Sequence, residues 1–386
     1  MVTTNILLVS YFAPSRGHAG GLRLLDLYRQ IKRLQPQIHL ELVTCHQPEV
    51  DWGCESLGEI FNNVHWLSPK DYCVSSIEKL GVLSQCFDVI DLQYHQSGAL
   101  IGELRNKCPR SVIMFSPMES MIRAAQLYLH IGFRSLSVKR GCMHIWLALQ
   151  EAYYVMRAEK VVCVSEPDRH ALLLLKSREK IHCLLTGLST FEFAISNKES
   201  SADEHQPASS KCRTLILVAY FGSRTNIDAL TWFVKFVHPL IRARVPDYVL
   251  NVVGRGADAD LVSLCRANEI NFIGEVESIE RELAAACVAI APALTGAGLR
   301  GKINQYASAG LPSVASSVAA AGLKYESGKS ILIADTPIDF AHQCVALILD
   351  ENFRARIGQE AKRVCLENYT WQSMSDGISN IYNLGC

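Results

Sequence analysis

Residues 295–323 read TGAGLRGKINQYASAGLPSVASSVAAAGL and predict a glycine-rich loop, a short helix, a buried strand and a second loop of small residues. Gly296 and Gly298 allow the backbone to approach a ligand closely, because glycine has no Cβ. Arg300 and Lys302 follow where the helix is expected to begin, and a helix N-terminus with two cations suits an anion. The stretch therefore predicts a phosphate or diphosphate site, the alternative being an ordinary loop with two solvated cations.

Length and charge narrow the class of protein. A chain of 386 residues exceeds one ordinary hydrophobic core, so two domains are expected. Lys plus Arg and Asp plus Glu both number 38, so no overall charge attracts the chain to nucleic acid. No apolar run is long enough to cross a bilayer, and no basic region precedes the first apolar run. We expect a cytoplasmic protein without nucleic-acid partners.

The 14 cysteines show neither a Cys-x-x-Cys pair nor a spacing of cysteine and histidine typical of metal sites. Most of them lie among apolar residues, as Cys163 does in VVCVS and Cys287 in AACVAIA. Small buried thiols in a reducing compartment explain this pattern better than disulfides do. The sequence predicts no metal site.

The first half alternates short apolar runs with helical periodicity, which is typical of a parallel sheet covered by helices. A strand is expected near Ile6–Ser10, a helix over 22–34 and a second strand over 40–44. Ligands of such sheets bind beyond the carboxyl ends of the strands, where His18, Gly20 and Gly21 follow the first strand. The glycines would admit a substrate and His18 would donate a hydrogen bond to it, or the segment is simply a flexible turn.

Two later strand ends carry further polar residues at the same predicted edge. Tyr94 and His95 follow the strand near 89–92, and Glu119 and Ser120 follow the strand near 112–115. A carboxylate at position 119 would orient a sugar hydroxyl or act on a proton. The alternative is that Glu119 and Ser120 cap the next helix.

Residues 122–156 are predicted to be helical and are rich in aromatic and basic residues. Such a face would rest on a membrane surface or grip a lipid-linked acceptor. The alternative, which we favour from the sequence, is a helical hairpin that packs its aromatic side chains inward.

Residues 196–211, SNKESSADEHQPASSK, contain no large apolar side chain and predict a linker or mobile loop. We therefore expect one domain over 1–195 and another over 212–371. The second domain begins with the strand TLILVAY and also contains Gly254-Arg255-Gly256, which lacks the third glycine of a dinucleotide fingerprint. A helix is predicted over 227–244, and helices are predicted near 337–349, 352–367 and 371–382.

Several motifs of the second half resemble, in order, those of the family 4 glycosyltransferases: Asn226-Ile227-Asp228-Ala229-Leu230 with Trp232, VVGRG, NFIGEV, APALTGAGLRGKINQYASAGLPSVAS, AAGL and the closing YTW. The first half is similar more loosely, through HAGG and VVCVSEPDR. The resemblance covers nearly the whole chain and is most specific over 221–371.

The resemblance implies an α/β protein of GT-B fold, with two Rossmann-like domains whose parallel sheets face a central cleft. The N-terminal domain would bind the acceptor, the C-terminal domain a nucleotide-diphosphate sugar, and residues 372–386 would cross back to the first domain. The implied reaction moves the sugar with retention and without metal or other cofactor to a glycan, lipid-linked or other hydroxyl acceptor. Its expected setting is surface polysaccharide or lipopolysaccharide synthesis, in the cytoplasm or at the inner face of the membrane.

The resemblance also implies roles for particular residues. Arg300 and Lys302 would stabilise the leaving diphosphate. Because of their places after strands of the first sheet, Glu119 and His95 are further catalytic candidates, and the acceptor-side candidates are His18, Gly20, Gly21 and Tyr94. The donor would contact Gly222, Arg224, Asn226, Gly254, Arg255, Gly274, Val276, Gly296, Gly298, Leu299 and Gln305.

The chain departs from the family pattern in two places. Where the family commonly carries Glu-x7-Glu, this chain has Ala297 and Gln305, and Gln305 accepts hydrogen bonds without a charge. The usual Arg-x5-Lys pair is not clearly present in the loop FGSRTN, where Asn226 stands near the position of the lysine and Arg224 either substitutes for the arginine or does not. These departures leave a non-catalytic nucleotide- or glycan-binding protein, or a partner of an active transferase, as the alternative, with a nucleotide-sugar 2-epimerase as a third.

Overall fold

The computed structural model describes residues 4–16, 18–47, 54, 57–131, 138–188, 213–276, 279–295 and 301–384. The chain divides into two compact units, Met1–Ser189 with Trp371–Cys386, and Thr190–Thr370. The linker predicted over 196–211 lies outside the described residues. Each unit is built on one parallel sheet covered by helices, so the predicted α/β class with two parallel sheets is confirmed.

The first unit has seven strands in the order β3-β2-β1-β4-β5-β6-β7. They are β1 Asn5–Ser10, β2 His39–Cys45, β3 Asn63–Leu67, β4 Val89–Gln93, β5 Val112–Ser116, β6 Lys160–Cys163 and β7 Ile181–Cys183. Its helices are α1 Ala19–Leu34, α2 Leu57–Ile60, α3 Val74–Lys79, α4 His95–Gly98, α5 Ile101–Lys107, α6 Met121–Ile131, α7 Val138–Arg157 and α8 Glu166–Leu172. Short 3-10 turns occupy Pro69–Asp71, Val82–Ser84 and Arg178–Lys180.

Strand β1 lies in the middle of the first sheet, paired with β2 on one side and β4 on the other. Its residues Ile6, Leu7, Leu8 and Val9 are fully buried, as expected for a parallel strand with both faces covered. The strand order reverses between β1 and β4, and this switch point is where ligands of such sheets bind. The loops after β1 and β4 therefore lie at the edge where a ligand of this unit is expected.

The second unit has six parallel strands in the order β10-β9-β8-β11-β12-β13. They are β8 Thr214–Val218, β9 Val249–Val253, β10 Asn271–Gly274, β11 Val288–Ala291, β12 Ser313–Ala315 and β13 Leu332–Ile333. Its helices are α9 Arg224–Trp232, α10 His238–Arg244, α11 Ala259–Ala267, α12 Ile279–Ala284, α13 Gly301–Ser308, α14 Ser317–Ala320, α15 Pro337–Leu349 and α16 Glu351–Asn368. Here the switch point lies between β8 and β11.

The last helix, α17 Ser375–Tyr382, packs against α1 of the first unit. The buried Tyr382 hydroxyl donates to Asp91 Oδ2 over 2.7 Å, and the Tyr28 hydroxyl donates to the same oxygen over 2.8 Å. Lys160 Nζ donates to the carbonyl of Ile381 over 2.7 Å. These bonds fix the C-terminal residues to the sheet of the first unit.

Helix boundaries differ from the prediction in three places. The helix predicted over 227–244 is α9, a π-helical segment Phe233–Val237 and α10. Pro239 explains the change, because proline has no N–H to donate and its ring disturbs the preceding turn. Helix α1 starts at Ala19, three residues earlier than predicted, and the last helix starts at Ser375 rather than at Trp371.

The predicted helical stretch 122–156 contains α6 and α7, and residues 132–137 lie outside the described residues. The expectation that its aromatic side chains pack inward is wrong for Trp146 and Tyr153, which are exposed. Tyr154, one residue further on, is buried against β5 and α4. The helix therefore carries apolar side chains on its outer side as well as toward the core.

Candidate functional site

The carboxyl edge of the second sheet is tied together by backbone hydrogen bonds between three successive loops. The loops after β8, β9 and β10 are joined by bonds from Ala219 N to Val253 O at 2.9 Å, Phe221 N to Arg255 O at 2.8 Å and Gly254 N to Gly274 O at 2.7 Å. This network gives the edge a fixed backbone, on which side chains near the switch point are positioned.

The close approach of the loops after β8 and β9 requires glycine at position 254. Its φ of 143° lies in the region that favours glycine, and a Cβ there would lie 1.7 Å from the carbonyl oxygen of Ala219. The Gly-x-Gly turn 254–256 thus serves backbone packing between two loops, whatever ligand it also contacts.

Lys302 and Asn226 meet at the switch point. Lys302 lies in the first turn of α13, and its Nζ donates to Asn226 Oδ1 over 3.4 Å. Asn226 Nδ2 donates in turn to the carbonyl of Tyr220 over 2.8 Å, so one amide joins the lysine to the loop after β8. Both side chains border a small cavity whose other walls are Leu217, Ala219, Ala229, Ala291, Pro292, Ala293 and Ala319. The cation stands at a helix N-terminus over a wall of small residues, an arrangement that can accept an anion.

Tyr306 fixes α13 against the sheet, a role that the sequence did not indicate. Its buried hydroxyl accepts a hydrogen bond from Val218 N at the end of β8, over 3.0 Å, and burial raises the pKa of the phenol. Tyr306 follows Lys302 by one turn, so the bond sets the position of the helix that carries the lysine. In the sequence this tyrosine looks like any other apolar helix position.

Gln305 lies on the same helix and is half-buried. Its backbone carbonyl accepts from Ser308 Oγ over 2.8 Å. The residue is therefore within one turn of Lys302, as expected from the sequence, and its part in donor binding stays a prediction. Arg300, Gly296, Gly298 and Leu299 lie outside the described residues.

The loops beside this cavity carry the other predicted donor residues. The Arg255 guanidinium lies 5.7 Å from the centre of the Tyr220 ring and 3.7 Å from Glu275 Oε1. Gly222 packs under the same ring, since a Cβ there would lie 2.3 Å from Tyr220. Arg255, Gly222 and the exposed Tyr220 thus form one surface next to Asn226.

Two further donor candidates are placed differently. Arg224 pairs with Asp228 in the next turn of α9 over 2.9 Å and is exposed. Val276 is half-buried and packs against the hydrophobic core near β10. An exposed pair of this kind contributes little to stability, so Arg224 can exchange Asp228 for another anion at small cost.

In the first unit, the predicted loop with His18, Gly20 and Gly21 is shorter than expected. His18 is the N-cap of α1, its Nδ1 accepting from Gly21 N over 3.1 Å, and both glycines belong to the first turn of the helix. A Cβ at Gly20 would lie 2.5 Å from the Tyr94 hydroxyl oxygen. The space at Gly20 is filled by a protein side chain, so the expectation that this glycine leaves room for a substrate is wrong.

Tyr94 has an unusual backbone and side chain. Its φ of 71° is rare for a residue other than glycine, and its ring is buried beside Phe12 and His18. Among the described residues, its buried hydroxyl has no hydrogen-bond partner. Strained backbone and unsatisfied buried polar atoms concentrate at functional sites, and Tyr94 lies at the switch point of the first sheet.

His95 is the first residue of α4, next to Tyr94. Its Nε2 lies 3.3 Å from Gln150 Oε1, its ring contacts that of Tyr154, and burial lowers the pKa of the imidazole. Its other ring nitrogen, Nδ1, is buried and has no partner in the part of the chain that the structure describes. A neutral imidazole can accept or donate a proton through that nitrogen.

Glu119 and Ser120 separate into different environments. Glu119 is exposed, whereas Ser120 is buried and accepts a hydrogen bond from Arg123 N over 3.2 Å, so it caps α6. The capping alternative therefore holds for Ser120.

The structure adds Glu151, a buried carboxylate of α7 that the sequence did not single out. Its Oε2 accepts from Ile122 N over 2.7 Å and from Ser120 Oγ over 3.0 Å. Burial, and to a smaller extent the charge of Asp168, raise its pKa to about 7 despite these bonds. A buried glutamate separated by 31 positions from its serine partner carries no local sequence signal.

No helix among the described residues is long and apolar enough to cross a membrane. The same residues contain no group of three His, Cys, Asp or Glu side chains arranged to hold a metal ion.

Sequence comparison relates parts of this chain to known proteins. Residues 213–350 match the family described as glycosyl transferases group 1. A stretch of 161 residues, 40% of this chain, is 26% identical to an uncharacterized 44.6 kDa protein in the cps region of Klebsiella pneumoniae. That match spans 42% of the Klebsiella protein, so the chain aligns with less than half of this relative.

Solved structures resemble the whole chain despite low identity. HepE of Anabaena, in complex with UDP and glucose, is 12% identical with a TM-score of 0.68, covering 98% of this chain and 99% of HepE. Sucrose-phosphate synthase from Thermosynechococcus elongatus is 14% identical with a TM-score of 0.67, covering 98% of both chains. A glycosyltransferase from Rickettsia africae is 13% identical with a TM-score of 0.65, covering 99% of this chain and 98% of its own.

At such identities the structural likeness establishes the fold, and the family match adds the evidence on activity. Together they support glycosyltransferase activity for a chain of GT-B fold whose residues 213–350 match the glycosyl transferases group 1 family.

Proposed function

We propose that the protein is a retaining, metal-independent glycosyltransferase that moves a sugar from a nucleotide-diphosphate sugar to a hydroxyl of a glycan or lipid-linked acceptor. The observation that carries the proposal is the position of Lys302, at the start of α13 and bound to Asn226 at the switch point of the second sheet. Surface polysaccharide or lipopolysaccharide synthesis is the proposed setting.

In the proposed reaction, the bond from the anomeric carbon to the diphosphate oxygen breaks and a bond from that carbon to the acceptor oxygen forms. The acceptor proton passes to the leaving phosphate. Negative charge grows on the diphosphate during this step, and Lys302, Arg300 and the N-terminus of α13 would stabilise it. Fixed cations of this kind stabilise the negative charge of the leaving group, as a bound divalent metal ion does in other enzymes.

On the donor side, Asn226, Gly222, Arg255 and the Gly254 and Gly274 turns would surround the nucleotide, with Gln305 near the ribose and residues 274–276 near the base. The loops are joined by backbone hydrogen bonds, so they need little rearrangement to receive a ligand. The complexes of HepE with UDP and UDP-glucose make UDP the first nucleotide to test.

On the acceptor side, we propose His18, Tyr94, His95 and Glu119. The buried hydroxyl of Tyr94 and Nδ1 of His95, both without partners among the described residues, support this assignment. A sugar hydroxyl could satisfy either atom, at a strand edge where ligands of parallel sheets bind.

Thermal unfolding with UDP, GDP, dTDP, ADP and CMP tests the donor site. A ligand at about 100 times its dissociation constant adds about 2.7 kcal/mol to the free energy of unfolding, which raises the melting temperature visibly. We expect one nucleotide to stabilise the wild type and not Lys302→Ala. Lys329→Ala is the matched control, since Lys329 is an exposed lysine of the same unit paired with Glu326. An equal shift in wild type and Lys302→Ala would contradict the assignment.

The second candidate is a GT-B protein that binds a nucleotide or glycan without turning it over. Gln305, which stands where the family usually has glutamate, favours it. Nucleotide binding that depends on Lys302, combined with no sugar transfer for any donor and acceptor offered, would support this candidate over the first.

A further inference from the structure

Helix α7 presents an apolar surface on the side opposite to the core. Its inward side carries Glu151, Tyr154 and Val155, which are buried. The outer side carries what we name the outer stripe, the exposed residues Ile145, Trp146, Leu149, Tyr153 and Met156. Trp146, Leu149, Tyr153 and Met156 recur at spacings of three and four, so they align on one face of the helix.

These side chains are large and solvent-facing. Trp146 is 58% exposed, Leu149 67% and Met156 57%. Leu174 extends this apolar surface and is 90% exposed. It belongs to the segment that is held to the end of α7 by Lys176, whose Nζ donates to the Met156 carbonyl over 3.3 Å. Contiguous apolar side chains of this size on a surface usually mark a place of contact with another molecule.

Cations border the outer stripe at its C-terminal end. The Arg157 guanidinium lies 5.1 Å from the centre of the Tyr153 ring, and Lys176 is bound to the end of α7. Arg178 and Lys180 follow in an exposed turn that contains one acidic residue, Glu179. Burial, and then the charges of Lys180 and Arg105, lower the pKa of Lys176, although Arg105 is also paired with Glu159. Positive charge therefore collects at one end of the stripe.

We propose that the outer stripe of α7 and its cationic end dock the protein on the surface of an anionic lipid bilayer. Trp146, Leu149 and Met156 would enter the boundary between headgroups and acyl chains, while Arg157, Arg178 and Lys180 would contact acidic headgroups. A tryptophan suits this depth, because its ring is apolar and its N–H is polar. The cations favour an anionic bilayer over a neutral apolar partner, because a neutral partner has no negative charge for them to bind.

Flotation of the full chain with lipid vesicles tests the docking surface. We expect wild-type protein to float with vesicles of equal parts phosphatidylcholine and phosphatidylglycerol, less well with phosphatidylcholine alone, and less well as salt is added. Trp146→Ser with Leu149→Ser should reduce the bound fraction about tenfold or more. Arg178→Glu with Lys180→Glu should reduce the bound fraction about tenfold on the anionic vesicles, and should leave binding to phosphatidylcholine vesicles unchanged.

The control pair is Ile338→Ser with Leu349→Ser, two similarly exposed apolar residues on α15 of the second unit. This pair should float like wild type, and all variants should melt like wild type, because every changed side chain is exposed. Wild-type protein that stays out of both vesicle types would overturn the proposal, as would a Trp146/Leu149 variant that floats normally. A third outcome would also overturn the proposal: wild-type protein that does not float but self-associates, with the self-association abolished in the Trp146/Leu149 variant. The outer stripe would then bind a second copy of the chain. Nucleotide binding plays no part in the flotation result, so this test and that of the proposed function can fail separately.

Discussion

Lys302 Nζ lies 3.4 Å from Asn226 Oδ1, and this contact brings two residues 76 positions apart to the same point of the second sheet. Asn226 also donates to the Tyr220 carbonyl, so it sets both the direction of the lysine and the course of the loop after β8. The amide positions the cation without neutralising it, because its oxygen carries no formal charge. A carboxylate in the same place would compete with a phosphate for Lys302.

This competition gives a prediction for position 226. Asn226→Ala should weaken binding of the stabilising nucleotide by about tenfold, since one hydrogen bond to a charged group is lost. Asn226→Asp should weaken it at least as much, because the new carboxylate pairs with Lys302. Titration calorimetry with both variants measures these changes. Tighter binding by Asn226→Asp than by Asn226→Ala would mean that Lys302 does not contact the phosphates.

Tyr306 gives a second prediction, which concerns stability. Tyr306→Phe keeps the buried ring but leaves Val218 N without its partner, which should cost about 1 to 3 kcal/mol of the free energy of unfolding. Urea unfolding measures this cost. Tyr220→Phe is the matched control, since Tyr220 is an exposed tyrosine of the same unit and its loss of a hydroxyl should cost almost nothing. Equal stability of Tyr306→Phe and wild type would show that α13 is fixed by packing alone.

The alternation of apolar strands with helices was predictable, because strands such as β1 and β8 are continuous apolar runs that only a sheet covered on both faces can bury. The predicted second-unit positions Lys302 and Asn226 do lie together, because both follow strands that end at the same edge. Glu151 and Tyr306 were not predictable, since each acts through a partner far away in the chain, Ser120 or Val218. Trp146 was placed wrongly, because an aromatic residue in a helix with one buried face usually joins that face.

Glu151 leads to a prediction about pH. Its pKa in the folded protein is raised to about 7 from an ordinary value of 4.5, so ionisation opposes folding. The resulting stability is present below pH 4.5 and is lost as pH rises through about 7. Glu151→Gln should remove this dependence, which amounts to about 3 kcal/mol at most.

The measurement is the free energy of unfolding by urea at several pH values across this window, for both proteins. As pH rises, the free energy of unfolding of the wild type should fall relative to that of Glu151→Gln. Glu119→Gln is the control, because Glu119 is exposed on the neighbouring loop. A difference that stays constant with pH would show that the pKa of Glu151 is the same in the folded and the unfolded protein.

The last prediction concerns Gly254, in the turn just before Arg255. Gly254→Ala would place a Cβ within 1.7 Å of the Ala219 carbonyl at a φ of 143°, so the loops after β8 and β9 must separate. We expect a loss of about 2 kcal/mol or more of the free energy of unfolding, together with weaker nucleotide binding. Gly58→Ala in α2 is the matched control, because nothing lies within 4 Å of its added Cβ and alanine favours a helix. If Gly254→Ala remained as stable as Gly58→Ala but lost nucleotide binding, the turn would serve the ligand directly, and its role in joining the two loops would be secondary.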